Sequence, residues 1–353
     1  MTHSFTITTV CTIDPVVRGS AITGLLLDRP DTVAITLDIL DGAVRHVVSD
    51  WTGVLETEIA PLEHACTSCA TREDALPTLV RLAREQRWRH ALVAMPIGSE
   101  PAPLVRLLDQ ELARKGSLAG ATFGGVCLVV DADDFVGDAF SDDWLADRDP
   151  SVATDQVVAE ALAPMLVAAD TIVLTTTSEP SRQALTLAEH LRGDGARVVA
   201  CDSLDLGPSM DTRRATRTRD CLERADPLRL PQRTAANQDG VWTLRLTSEH
   251  PFDPTRLRDN VHRLASHPVR ARGHFTVSSR PGSSCAWEGA AGLLSVADLG
   301  RRPARGPRVD LVVTGVGDSH ASITRAFAET LAQPGEAVSD DALEDWLGHP
   351  GAR

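Results

Sequence analysis

Through the first 200 residues, short β-branched or apolar runs alternate with stretches of helical period, and that alternation restricts the fold more than any other feature of the chain. The strand-like runs are 6–10, 33–38, 44–48, 90–95, 126–130, 171–175 and 197–200. Asp41-Gly42 supplies a hairpin-type turn between the second and third. The spacing predicts helices over 72–87, 103–115, 155–168 and 180–192, the first with Leu76, Leu79, Val80 and Ala83 on one face. Strands joined by helices of this length make a mostly parallel sheet covered on both faces, so the predicted class is α/β.

The rhythm changes after about residue 205. Residues 207–239 are rich in arginine, proline and polar side chains and read as a linker with one short helix. Arg213, Arg214, Arg217 and Arg219 form a basic run there; its ordinary reading is a solvated face, its rarer one a contact with ribosomal RNA. Beyond 240, strands at 241–247, 270–278, 284–288, 293–296 and 309–314 accompany helices at 253–266 and 321–332. This pattern predicts a second, smaller α+β domain with its helices on one face. The expected organisation is a first domain over 1–206, a linker over 207–239, a second domain over 240–335 and an acidic tail over 336–353.

Composition narrows the partners. A net charge of -14 and the absence of tyrosine argue against a nonspecific grip on nucleic acid or an anionic membrane, so neither DNA nor a membrane is expected. No apolar run reaches spanning length and no basic-then-apolar leader opens the chain, which makes the cytoplasm the expected location. Seven cysteines scattered through 353 residues fit reduced thiols better than a disulfide framework.

Two of those cysteines are grouped. His64-Ala65-Cys66-Thr67-Ser68-Cys69 places one imidazole and two thiols within six residues, directly before a helix. Thiolate and imidazole suit zinc, so His64, Cys66 and Cys69 are the candidate metal ligands. No second Cys-x-x-Cys completes a four-ligand set, and the spacing also fits a redox pair or two unliganded thiols. Asp131, at a strand's C-terminal end, lies where open α/β sheets place ligands, or it joins ordinary turn capping with Asp133 or Asp134.

The order of these features resembles the CobW family, GTP-dependent metal chaperones of the P-loop class. The likeness is carried by Cys66-Thr67-Ser68-Cys69-Ala70-Thr71-Arg72-Glu73-Asp74, Val129-Val130-Asp131-Ala132, Gln156 and Ala169-Asp170-Thr171-Ile172-Val173-Leu174. In the second domain it is carried by Pro251-Phe252-Asp253-Pro254, Val269-Arg270-Ala271-Arg272-Gly273, Ser279-Arg280-Pro281, Trp287 and Thr314-Gly315-Val316. The resemblance implies a P-loop NTPase-like first domain followed by a CobW C-terminal domain.

The departures from that family concern its chemistry. A phosphate loop needs glycines, a lysine and a hydroxyl. The matching stretch is Thr12-Ile13-Asp14-Pro15-Val16-Val17-Arg18-Gly19, with Arg18 at the lysine position and Gly19 at the hydroxyl position. Lys115, the chain's sole lysine, is far away in sequence. The guanine-reading Asn-Lys-x-Asp is replaced by Thr175-Thr176-Thr177-Ser178, and the family's Glu-x-x-Gly by Met95-Pro96-Ile97-Gly98. Since phosphoryl transfer rests on positioning and electrostatics, these losses predict no competent GTPase and no catalytic residues. An eroded phosphate loop beside a Cys-x-x-Cys also resembles an actinobacterial branch of the family that recruits a ribosome hibernation factor when zinc is scarce. The expected function is therefore a zinc-responsive adaptor for a protein partner, either such a factor or a zinc-dependent client, with zinc as the metal and GTP not expected. The alternative is an active GTP-dependent zinc metallochaperone with an atypical phosphate loop.

Overall fold

The computed structural model describes residues 5–148, 152, 154–202, 216–231, 237–266, 268–300, 306–336 and 342–347. Contacts divide the chain into two compact units, one of residues 1–138 and 143–225, the other of residues 139–142 and 226–353. Among the described residues no helix is long and apolar enough to cross a membrane.

The first unit is built on an eight-stranded sheet. Its strands are β1 (Thr6–Cys11), β2 (Thr32–Leu40), β3 (Ala43–Asp50), β4 (Gly53–Pro61), β5 (His90–Ala94), β6 (Thr122–Asp131), β7 (Thr171–Thr176) and β8 (Arg197–Asp202). They lie in the order β4-β3-β2-β5-β1-β6-β7-β8. Six strands are parallel, while β3 and β4 extend one side as an antiparallel meander. Both faces are buried, as parallel strands require. On one face Val10, Ala34, Leu92, Ala94, Cys127, Val129 and Val173 pack with Val17, Ala21, Ile22, Leu25 and Leu26 of helix α1 (Pro15–Asp28). The alternate residues Ile35, Leu37, Val93, Leu128 and Val130 point the other way and are equally buried.

Helices α2 (Thr67–Cys69) and α3 (Leu76–Glu85) flank a π-helical turn, Ala70–Ala75. The helix predicted over 72–87 thus starts earlier, and it stops at Gln86, whose left-handed φ of 55° ends it. Pro77 has no N–H to give the turn before it, which is where the backbone widens. The buried face consists of Thr78, Leu79 and Leu82, with Leu76, Val80 and Ala83 half-buried. Helix α4 (Ala102–Glu111) ends short of the predicted 115, because the Glu111 carboxylate turns to accept from the Ser117 N–H at 2.8 Å and its hydroxyl at 2.7 Å. Short turns α5 (Phe135–Asp138) and α6 (Leu145–Arg148) precede α7 (Val158–Ala168), and α8 (Arg182–Leu191) joins β7 to β8.

Helix α9 (Thr218–Ala225) is the short helix within the stretch read as a linker. It is amphipathic enough to dock on the first unit: Cys221 is buried, Thr218 Oγ1 donates to Asp109, and Arg224 pairs with Asp170 at 2.8 Å. Arg217 and Arg219 fall within the described residues, where Arg219 pairs with Glu223 at 2.7 Å; Arg213 and Arg214 lie outside them.

The second unit carries a five-stranded antiparallel sheet, in the order β12-β11-β10-β13-β9. It comprises β9 (Val241–Ser248), β10 (Val269–Phe275), β11 (Cys285–Ala290), β12 (Leu293–Asp298) and β13 (Val309–Val316), with helices α10 (Pro254–Ala265), α11 (His320–Thr330) and α12 (Glu344–Leu347). Ala291 and Gly292, both at positive φ, form the tight turn between β11 and β12. The core is aromatic at its centre. Phe252 lies 5.7 Å from Phe275, 6.4 Å from Trp287 and 5.7 Å from Phe327, ring centre to ring centre. Truncating Phe252→Ala removes the ring that meets all three, and is expected to cost about 3–5 kcal/mol in denaturant unfolding of this unit.

Candidate functional site

β1 is flanked by β5 and β6, and the connections from its two sides run in opposite directions, so the C-terminal ends of these strands form the crevice where open α/β sheets hold ligands. Only Thr12, Ile13 and Asp14 separate β1 from α1. The helix therefore takes up Pro15 to Gly19, the residues that sequence matching places in a phosphate loop. Asp14 is its N-cap. The carboxylate accepts from the Val16 N–H at 2.6 Å and the Val17 N–H at 3.0 Å. Pro15 has no N–H to offer, so the donors of the first helical turn are already paired with an anion belonging to the chain itself.

Arg18 is held just as firmly. Its Nη1 donates to the Leu37 carbonyl at 3.1 Å and the Met95 carbonyl at 3.2 Å, and its Nη2 meets Asp38 Oδ1 at 2.6 Å. Arg45 takes the other Asp38 oxygen at 2.7 Å. Burial alone would raise the Asp38 carboxyl, but the Arg18 charge and the bonds from both guanidinium groups outweigh it and hold it below its ordinary 3.8. Gly98, after β5, donates its N–H to the Thr12 carbonyl at 3.1 Å. At the end of β6, Asp131 accepts from the Asp133 N–H at 2.8 Å, which is the turn-capping geometry. Beyond β7, Thr175 donates to the Val130 carbonyl and Thr176 Oγ1 accepts from the Ser178 N–H.

The thiol-bearing turn stands beside this crevice. Cys66 is the N-cap of α2, its sulfur accepting from the Cys69 N–H at 3.4 Å. That bond holds the Cys66 thiol below its ordinary 9.0, whereas burial and then the neighbouring Cys66 sulfur push Cys69 up. Exposed His64 brings Nδ1 to 3.9 Å from the Cys69 sulfur. A zinc ion bonded to one sulfur and one imidazole nitrogen holds them about 3.6 Å apart, so this pair needs only a small closure. Among the described residues no three His, Cys, Asp or Glu side chains close around a single point. Cys66 sits at the cap, and the Arg72 guanidinium lies 3.7 Å from the Cys69 sulfur.

A cavity of roughly 340 Å³ opens on this turn. Cys66, Thr67, Asp38, Ser99, Glu100 and Gln156 are among its lining residues, and no arginine or lysine lines it among the described residues. Thr67 donates to Ser99 at 2.9 Å, tying the thiol turn to the segment after β5. Asp38 and Glu100 went unremarked in the sequence. Asp38 had a legible signal, a carboxylate closing the β2 run, but Glu100 lies in a loop with no motif. Behind the turn, buried His46 binds Asp74 through Nδ1 at 2.7 Å and Glu56 through Nε2 at 3.3 Å, joining β3 and β4 to the π-helical turn.

With this geometry in hand, comparison with known proteins is informative for the second unit. Residues 241–331 match the cobalamin synthesis protein cobW C-terminal domain. Across more of the chain, zinc chaperone Rv0106 of Mycobacterium tuberculosis is 27% identical over 292 residues, 79% of this chain and 70% of the relative. Zinc chaperone CobW of Sinorhizobium sp is 26% identical over 160 residues, 44% of this chain and 42% of the relative. The crystal structure of the Zn(II)-bound YjiA GTPase from E. coli spans 93% of this chain and 99% of its own at 16% identity, with a TM-score of 0.38.

The Asp38 carboxyl sets a test of the crevice. Its folded-state value is depressed, so the stability it contributes is complete above 3.8 and is lost as pH falls through the lower folded value. Asp38→Asn should lower stability near neutral pH by roughly 3 kcal/mol, because Arg18 is left without its anion. The same variant should lose less stability than the parent between pH 5 and 3, read by thermal melts across that range.

Proposed function

We propose that this chain is a CobW-type, zinc-responsive adaptor in which the crevice that would hold a nucleotide is closed by the protein's own groups. One observation carries the reading: the helix N–H groups, the arginine at the lysine position and the Gly98 amide are each bonded to an acceptor within the chain. Binding a triphosphate would require breaking all three sets and displacing the Asp14 carboxylate, which would otherwise repel the incoming phosphates. Among its described lining residues the adjoining cavity offers the Cys66 thiol and the Glu100 carboxylate, with Asp38 already paired and no arginine or lysine, which suits a metal ion better than a polyanion.

Zinc is the metal that the relatives' names support. His64 and Cys69 are its first two donors, with Cys66 available once it leaves the helix cap. Because Cys66 caps α2 while Thr67 bonds Ser99, capture of a metal at Cys66 would reset the turn and the loop after β5 together. That change is what a protein partner would sense. Resemblance to the actinobacterial branch favours a ribosome hibernation factor as that partner over a zinc-dependent client.

Calorimetry on one purified sample tests the reading. Magnesium–GTP should give no saturable heat at 100 μM protein, while zinc should bind and lose at least tenfold in affinity in Cys66→Ser/Cys69→Ser. Saturable GTP binding with turnover would establish the alternative, an active GTP-dependent metallochaperone. Zinc affinity unchanged by the double substitution would remove the metal from this turn.

A further inference from the structure

The eight-stranded sheet ends on an unusual edge. β4 is bonded to β3 along one side and has no strand on the other among the described residues. Seven of its nine residues are exposed, including Val54 at 67%, Leu55 at 40% and Ile59 at 64%. Trp51, in the turn leading into it, is 55% exposed. Only Val16, Leu27, Trp144 and Leu293 are comparably exposed large apolar side chains elsewhere among the described residues, so the concentration over 51–59 is a local property of this edge.

The strand is firmly held from behind. Glu56 is paired with Arg81 of α3 and accepts from His46, and His46 is bonded to Asp74. Its two faces differ in chemistry. Glu56 stands opposite Val48 and Glu58 opposite His46, whereas Thr57 stands opposite Val47, Ile59 opposite Arg45 and, beyond the bulge, Val54 opposite Ser49. One face of the edge therefore carries the exposed Glu58 beside Glu56, which Arg81 and His46 already engage, and the other presents Val54, Thr57 and Ile59.

We propose that β4 is a docking edge for an extended segment of another protein in which lysine or arginine alternates with apolar residues. Such a segment adds as a ninth strand, its backbone completing the open hydrogen-bonding edge. One of its cations falls over the exposed Glu58, and its apolar side chains over Val54 and Ile59. A second copy of this chain is disfavoured in the register centred on Glu58. Antiparallel self-pairing about Glu58 would set this exposed carboxylate against its own copy, and like charges directly opposed across a sheet repel. Glu58 thus deters that self-pairing while favouring a basic strand. The proposal requires neither zinc nor nucleotide.

The probe is a capped heptapeptide, Lys-Val-Lys-Val-Lys-Val-Lys, titrated into the full chain by calorimetry beside Glu-Val-Glu-Val-Glu-Val-Glu. The lysine peptide should bind saturably and the glutamate peptide at least tenfold more weakly. Glu58→Lys, an exposed substitution that leaves the fold intact, should weaken the lysine peptide at least tenfold, and Thr57→Pro should do likewise by spoiling the strand edge. Val16→Ser, remote from the edge, should have no effect. Absence of binding by the lysine peptide, equal binding of both peptides, or indifference to Glu58→Lys would overturn the proposal. So would a dimer in sedimentation velocity that Thr57→Pro disperses, since that outcome assigns the edge to a second copy.

Discussion

The Arg18–Asp38 ion pair is the contact on which the crevice depends. A guanidinium at the head of the central sheet, only 12% exposed, cannot remain unpaired, and it meets Asp38 together with two carbonyls at the ends of β2 and β5. The pair fastens α1 to the strands beside it and places a salt bridge where a phosphate-binding cation would need to be free. Arg45 adds a second cation on the other oxygen of the same carboxylate, so Asp38 is satisfied on both sides. Electrostatic order here comes from inside the chain.

The same economy extends to the backbone. A helix N-terminus attracts anions through its unpaired N–H groups and dipole, and here Asp14 supplies the anion. The three-residue connection from β1 leaves no length of chain to wrap a ligand. On the other flank the thiol turn is in an opposite condition. Its cap sulfur has a lowered proton affinity, its histidine is exposed, and no arginine or lysine lines its cavity among the described residues. A self-paired crevice thus adjoins a turn of which one soft donor, Cys66, lines an open space.

Much of the fold was legible in the sequence, because it rests on periodicity. β-branched runs separated by helical spacing gave the parallel sheet, and the return of strands after residue 240 gave the second unit. What escaped were elements whose signal is not burial. β4 has the composition of a strand but an exposed pattern, so nothing in its alternation points to a core. α1 was hidden because Thr12 to Gly19 matched a loop motif by position, although Asp14 before Pro15 is an N-cap followed by a favoured first helical residue. The short helix in the arginine-rich stretch was expected, but its docking through Cys221 and Arg224 is visible only in the tertiary structure. At the site, the grouping of His64, Cys66 and Cys69 could be read from spacing. Their arrangement could not, because the cap at Cys66 and the proximity of Asp38 and Glu100 depend on how β2, β5 and the thiol turn meet.

Amide hydrogen exchange at Val17 and Gly98 tests the closure of the crevice most directly, since these N–H groups must be open in any site that grips phosphate. Closure by Asp14 and by the Thr12 carbonyl predicts that both amides are protected in the nucleotide-free protein and that magnesium–GTP leaves their rates unchanged. Fast exchange without nucleotide, slowed by magnesium–GTP, would contradict it.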